Sequence, residues 1–123
     1  MTSMVIIGAG PGGYEAASVA AAGGVDVTVV EETGIGGAAV LTDCVPSKPL
    51  IATAEVTSTL RRAAELGLRH TETFEVDLDA VNSRVRRLSQ AQSAAIGRGL
   101  ERNGVRLISR LQRRATGAPG ALQ

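Results

Sequence analysis

Aromatic residues and cysteine are scarce in this sequence. Its 123 residues include one Tyr, one Phe and no Trp, so we do not expect a base-stacking surface for nucleic acid. The single cysteine excludes an intramolecular disulfide scaffold and favours a reducing cytoplasm. A signal peptide requires a cationic stretch near its amino terminus. None precedes Met4, so no signal peptide is expected. The longest apolar helical run, Ala16–Ala22, is too short to span a bilayer.

Charge and composition further limit the classes of protein to which the chain can belong. The net charge is +1, which provides no general attraction to nucleic acid or membranes. Hydrophobic residues make up 44% of the chain and charged residues 20%, which is typical of a soluble globular protein. The length allows one domain or part of one, and no repeat or metal-ligand cluster is predicted. Regular patterning covers residues 1–109, whereas residues 110–123 have no apolar period and are predicted to be an irregular or disordered tail.

A glycine turn near the amino terminus is the first informative motif. Residues 4–13 read M-V-I-I-G-A-G-P-G-G, an apolar run that ends in G-x-G-x-x-G. In a dinucleotide site, Gly8 would permit the tight turn and Gly10 would let the backbone approach a pyrophosphate. Gly13 would let the following helix pack close to the sheet.

The elements after the turn come in the order that a dinucleotide site requires. A helix is predicted over Gly12–Ala22, a buried parallel strand over Val25–Val30, and Glu31 follows. The helix start offers free N–H groups to phosphates. Glu31, with Glu32 beside it, is predicted to bind an adenosine ribose, because it follows the turn by about 20 residues. The expected phosphate-binding residues are Gly8, Gly10, Pro11, Gly12 and Gly13.

A second motif lies between the second strand and the next helix. Residues 34–48 read G-I-G-G-A-A-V-L-T-D-C-V-P-S-K. This segment resembles the redox motif of the flavoprotein disulfide reductases, roughly G-G-x-C-x-x-x-x-C-x-P-S-K. The glycine pair, Cys44 and the closing P-S-K match, while Ala39 replaces the first cysteine. This variant is similar to a mycobacterial lipoamide-dehydrogenase-like branch that lacks the disulfide and behaves as an NAD(P)H:quinone reductase.

The resemblance implies a fold, cofactors and partners. The expected fold is an incomplete α/β, Rossmann-like three-layer FAD/NAD(P)-binding fold, with a βαβ unit, two further helices and a third strand. FAD is the implied cofactor, NAD(P)H the co-substrate and a quinone-like compound the acceptor. Full-length members of the family form homodimers. Dithiol chemistry is not expected, because exchange within one site needs two thiols, whereas a flavin can pass electrons without one.

The resemblance also assigns roles in the second motif. Gly37 and Ala38 would line the flavin ribityl chain, Cys44 would lie over the flavin ring, and Lys48 would lie near N5, commonly paired with a carboxylate. Lys48 is the only lysine among 13 basic residues, which suggests a need for a compact point charge. Two alternatives stay open: Cys44 as a small buried hydrophobic residue, and Lys48 as a solvated helix residue.

The remaining elements are predicted from caps and periodicity. Residues 34–42 are expected to form a loop, and a helix to run from about residues 44–47 to residue 64. Pro49 would make that helix start later or kink. A long helix is predicted over residues 78–103, with Asp77 as its N-cap and an apolar stripe that includes Leu88 and Leu100. A third strand follows at residues 105–108. His70, in a predicted loop, is interpreted as a surface residue.

The chain is much shorter than members of that family, and it has no second glycine fingerprint. We interpret it as an N-terminal fragment, or as a product truncated by a frameshift near residue 110. Three functional hypotheses follow: a portion of a flavin oxidoreductase, an inactive Rossmann fragment that binds a nucleotide weakly or not at all, and an NAD-binding module unrelated to flavin. The second motif argues against the third, because simple NAD dehydrogenases have no use for it.

Overall fold

The computed structural model describes residues 2–69 and 74–109. His70 and the tail prediction for residues 110–123 lie outside the described residues. The described residues form three strands and four α-helices, and they have the α/β architecture that the sequence predicts. The elements are β1 (Ser3–Ile7), α1 (Pro11–Ala22), β2 (Asp26–Val30), α2 (Gly37–Leu41), α3 (Cys44–Arg61), a 3-10 turn (Ala63–Leu66), α4 (Leu78–Arg102) and β3 (Arg106–Ile108).

The strands form one parallel sheet in the order β1-β2-β3. Ile7 pairs with Val30, and Val30 pairs with Ile108, so the carboxyl ends of the three strands lie side by side. Strand β2 is central, and its Val27 and Val29 are almost completely buried. The predicted buried parallel strand is confirmed.

One face of the sheet carries the core. Helices α1 and α4 both pack there, because each presents small or apolar residues to the strands. Ala17 of α1 and Leu100 of α4 are fully buried in the same cluster as the two β2 valines. Partly buried residues extend this cluster along both helices and all three strands: Ile6, Tyr14, Ala20, Ala21, Val25, Ile35, Ile96 and Leu107.

The opposite face of the sheet is uncovered in the described part of the chain. Val5 and Ile7 point to that face, and their side chains are 66% and 77% exposed. Ile108 on β3 is also exposed. The outer edge of β1 has no strand beside it among the described residues. The described residues therefore build the sheet and one helical layer of the expected three-layer fold.

Two elements near the second motif differ from the sequence prediction. The predicted loop contains α2, a five-residue helix that begins after Gly36, whose φ of 99° starts the turn. Helix α3 begins at Cys44 and continues through Pro49, so a later start is wrong. Pro49 lies inside α3, past its first turn, so the helix lacks the i→i−4 hydrogen bond that an N–H at this position would donate.

Helix α4 begins where its cap predicts. The Asp77 side chain accepts a hydrogen bond of 2.9 Å from the N–H of Ala80, which confirms the N-cap. Leu100 is buried as the apolar stripe predicts, but Leu88 is 42% exposed. The predicted apolar stripe is therefore only partly buried. None of the helices in residues 2–69 and 74–109 is long and apolar enough to cross a membrane.

Candidate functional site

The glycine turn connects β1 to α1 with little space to spare. Gly8 has a φ of +96°, which favours glycine, and its N–H donates to Val30 O at 2.8 Å. A Cβ added to Gly13 would lie 1.9 Å from Gly8 O, closer than any side chain could be accommodated. Both glycines are therefore required by the fold itself.

Gly10 differs from the other two glycines of the fingerprint. Its φ is −68°, which any residue can adopt, and a Cβ added there would meet nothing within 4 Å. Neither backbone conformation nor protein packing calls for glycine here. The open space above Gly10 is instead the space that a ligand close to the backbone would use.

The start of α1 adjoins this open space and suits an anion. Gly10 is the N-cap and supplies no side-chain hydrogen bond, Pro11 occupies the first turn, and that turn contains no acidic residue. The N–H groups of Gly12 and Gly13 have no acceptor within the helix, because first-turn amides lie ahead of any carbonyl four residues back. These two amides and the helix dipole favour negative charge at this point.

Glu31, at the end of β2, is bound by the protein on both carboxylate oxygens. Oε2 accepts from Ala9 N at 2.6 Å, and Oε1 accepts from the N–H and hydroxyl of Thr33 and from Gly34 N. Burial alone would raise the pKa of this carboxyl. The hydrogen bonds from Ala9, Thr33 and Gly34 outweigh burial and lower the pKa from 4.5 to about 2. Glu31 is therefore ionised at neutral pH.

The structure brings the two glycine motifs together. Gly36 N donates to Ala9 O at 2.7 Å, so the loop after β2 is hydrogen-bonded to the first turn. A Cβ added to Gly37 would lie 3.1 Å from the Cα of Gly10. The glycine pair thus packs directly against the turn from which α1 begins. Ala38, the next predicted site residue, is exposed on α2.

Cys44 and Lys48 lie on the first turns of α3. They are four residues apart, so they share one face of the helix. Both are exposed, so the alternative of Cys44 as a buried hydrophobic residue is wrong. Lys48 forms no ion pair with any carboxylate in the part of the chain that the structure describes.

A cleft of about 360 Å³ opens at the carboxyl ends of β2 and β3. Ligands of open α/β sheets bind at this edge. The sequence predicted Glu31 and Glu32 at this edge but not the lining residues from β3. Because parallel strands end at the same edge of a sheet, the predicted third strand could have indicated them. The lining residues are Glu31, Glu32, Thr33, Gly34, Ile35, Leu107, Ile108 and Ser109.

One contact to the loop after β2 comes from α4 and was not predicted. The Ser93 hydroxyl donates to Ile35 O at 2.6 Å, across 58 residues of sequence. No local sequence signal could have found it, because serine in a helix interior ordinarily bonds to its own helix.

Comparison with known proteins identifies the family to which the chain belongs. The family model described as pyridine nucleotide-disulphide oxidoreductase matches residues 2–113. The chain belongs to this family. The match includes the glycine turn, the second motif and all three strands, and the predicted resemblance is thereby confirmed.

Two relatives of the chain differ in the enzyme name that they have. The chain is 46% identical over 113 residues to an NAD(P)H dehydrogenase (quinone) of Mycobacterium tuberculosis. This match covers 89% of the chain and 23% of the relative. A dihydrolipoyl dehydrogenase of Chlamydia muridarum is 42% identical over 80 residues, covering 65% of the chain and 17% of the relative.

Solved structures agree with the fold. The crystal structure of LpdA from Mycobacterium tuberculosis superposes with a TM-score of 0.81 at 46% identity, covering 89% of the chain and 23% of that structure. The flavoprotein disulfide reductase RclA from Escherichia coli, at 20% identity and a TM-score of 0.66, shares the fold alone. The matches therefore cover only 17% to 23% of the length of these proteins.

Proposed function

We propose that this chain is the FAD-anchoring amino-terminal portion of an NAD(P)H oxidoreductase. The observation that carries the proposal is Gly10: its side-chain position is open, and neither backbone nor packing requires glycine there. A diphosphate that approaches the main chain at the start of α1 accounts for that glycine. The absence of carboxylates from the first turn of α1 supports the same conclusion.

Each residue of the first motif then has a defined task. Gly8 and Gly13 keep the turn tight, and Pro11 begins α1 without using a donor. The free amides of Gly12 and Gly13 would bind the diphosphate. Oε2 of Glu31 accepts a single protein hydrogen bond and retains an acceptor position for a ribose hydroxyl. Glu32 lies on the rim of the same cleft, which would hold the adenosine.

The second motif would hold the flavin half of the molecule. Gly37 lies against Gly10, so the path from the diphosphate leads towards α2, where the ribityl chain would lie along Gly37 and Ala38. Cys44 and Lys48 are both exposed on early α3, which supports a thiol and a positive charge beside the flavin ring. A bound flavin supplies hydride acceptance from NAD(P)H and onward electron transfer. Lys48 would hold positive charge beside N5.

A quinone is the acceptor that we propose. The NAD(P)H dehydrogenase (quinone) relative shares 46% identity with the chain. Cys44 is the only cysteine here, so a dithiol relay cannot form within this chain. A single cysteine and a pyridine-nucleotide reductant also favour a cytoplasmic site of action.

The second candidate is a catalytically inactive Rossmann fragment that binds a nucleotide weakly or not at all. The specific observation in its favour is the uncovered face of the sheet, where Val5 and Ile7 are exposed in the described residues. The chain also spans only 23% of the length of its quinone-reductase relative. Binding and turnover must therefore be measured separately.

Titration of the purified chain with FAD tests the proposal. Bound flavin is detected by its visible absorption and by quenching of its fluorescence. Gly10→Ala should lower FAD affinity at least about tenfold, or ~1.4 kcal/mol, because the new methyl group occupies the space of the diphosphate. Its free energy of unfolding should change by less than about 1 kcal/mol.

Gly99→Ala is the matched control. It also adds a methyl group in open space, but on α4 and away from the glycine turn. It should leave FAD affinity unchanged. If the wild-type chain takes up no FAD, or if the Gly10→Ala variant binds as tightly as wild type, the FAD proposal is wrong. A wild-type chain that takes up no FAD would leave only the second candidate.

A further inference from the structure

Three hydrogen bonds attach the loop between β2 and α2 to the glycine turn and to α4. At its start, Glu31 bonds to Ala9 N. At its end, Gly36 N donates to Ala9 O. Between them, the Ile35 carbonyl accepts a bond of 2.6 Å from Ser93. The first two attachments hold the loop to the glycine turn, and only the third connects it to a helix behind the site.

Ser93 behaves differently from its neighbour on the same helix. Ser89 donates to Val85 O, four residues back, at 3.2 Å, which is the usual local bond of a helical serine. The Ser93 hydroxyl is directed across to the loop instead. Its bond to Ile35 is also the shorter of the two. A cross-element bond of this kind fixes the distance between α4 and the loop.

Helix packing reinforces the contact at the same place. Gly97 lies one turn after Ser93, and a Cβ there would lie 4.0 Å from Cγ1 of Ile35. The Ile35 side chain packs against the hydrophobic core. Ile35 is thus held through its carbonyl by Ser93 and through its side chain by the α4 surface and the core. The next two residues along the chain are Gly36, which bonds to Ala9 O, and Gly37, which faces Gly10.

We propose that Ser93 is a positioning residue for the dinucleotide site. Through Ile35 it holds the backbone of Gly36 and Gly37 at the distance from Gly10 that leaves room for a diphosphate. It touches no ligand itself. This inference rests on the proposed dinucleotide binding, and it adds a contribution of α4 to the geometry of that site.

The test compares Ser93→Ala with Ser89→Ala, which removes a buried hydroxyl from the same helix without affecting the loop. The first measurement is hydrogen–deuterium exchange of the full chain without ligand. Exchange at Gly36 and Gly37 should be about three- to tenfold faster in Ser93→Ala, as expected for loss of one neutral hydrogen bond. Ser89→Ala should leave these amides unchanged.

The second measurement is FAD affinity by flavin fluorescence. Ser93→Ala should weaken binding by about three- to tenfold, at a thermal stability equal to that of Ser89→Ala. Ser93→Thr, which keeps a hydroxyl, should restore both exchange and affinity. Equal FAD affinity in Ser93→Ala and wild type overturns the inference and leaves the proposed function standing. Faster loop exchange in Ser93→Ala, with no FAD bound by the wild type, overturns the proposed function while supporting the loop anchor.

Discussion

The Glu31 carboxylate accepts a hydrogen bond of 2.6 Å from the backbone N–H of Ala9. This bond joins the end of β2 to the middle of the glycine turn. Ala9 is completely buried, so its N–H is shielded from water and depends on the Glu31 carboxylate for its hydrogen bond. The acid that a dinucleotide fingerprint assigns to the ribose therefore also shapes the turn that would receive the diphosphate.

Glu31→Gln should destabilise the fold as well as weaken FAD binding. All the partners of this carboxylate are donors, so one donor would face the NH₂ group of the new amide. Hydrogen bonds to a charged group are worth about 1.5–3 kcal/mol each, and we expect a loss of about 2 kcal/mol in the free energy of unfolding by urea. Glu32→Gln is the control, because Glu32 is exposed on the rim; an equal loss in both variants would contradict this role.

Stability should depend on acid pH through the same residue. The pKa of Glu31 is lowered from 4.5 to about 2 in the folded chain. Its contribution is therefore fully present above 4.5 and is lost as the pH falls towards 2. Urea unfolding at several pH values should show the gap between wild type and Glu31→Gln constant above 4.5 and shrinking below it. A gap that stays constant down to the lower value would refute the assignment.

Gly13→Ala should prevent α1 from packing on the turn. The added Cβ would lie 1.9 Å from Gly8 O, a backbone atom that cannot move aside. Overpacking of this kind costs about 1–3 kcal/mol or more. Gly12→Ala is the matched control, since its Cβ meets nothing within 4 Å on the same helix. Urea unfolding checks both, and equal stability of the two variants would show that the close contact is unimportant.

FAD should slow the reaction of the Cys44 thiol with a thiol-reactive reagent. The thiol is exposed on the first turn of α3, so a thiol-reactive chromogenic reagent should react with it readily in the folded chain. If the isoalloxazine lies over it, saturating FAD should slow the reaction by about tenfold or more, a difference of ~1.4 kcal/mol in the activation free energy. ADP is the control, because it fills the anchoring site without the ring. Protection by ADP, or none by FAD, would remove Cys44 from the flavin site.

Local sequence signals account for most of the scaffold and for half of the site. The glycine turn, β2 and the Asp77 cap are each specified within a few residues, and the structure has them where they are predicted. Helix α2 was missed because five residues are too few to show a helical period. The Ser93–Ile35 bond was missed because it joins positions 58 residues apart. The sequence predicts Glu31 as the residue that binds the ribose, and this role stays a prediction. Its bond to Ala9 depends on how the two strand ends meet.

The outer edge of β1 can pair with a further β-strand. Along the outer edge of β1 the described chain leaves N–H and C=O groups without a strand partner, beside an apolar surface that includes Val5 and Ile7. The edge strand of another polypeptide can form hydrogen bonds with such an edge. The isolated chain can therefore self-associate through this edge, and low protein concentration is the simplest way to favour the monomer.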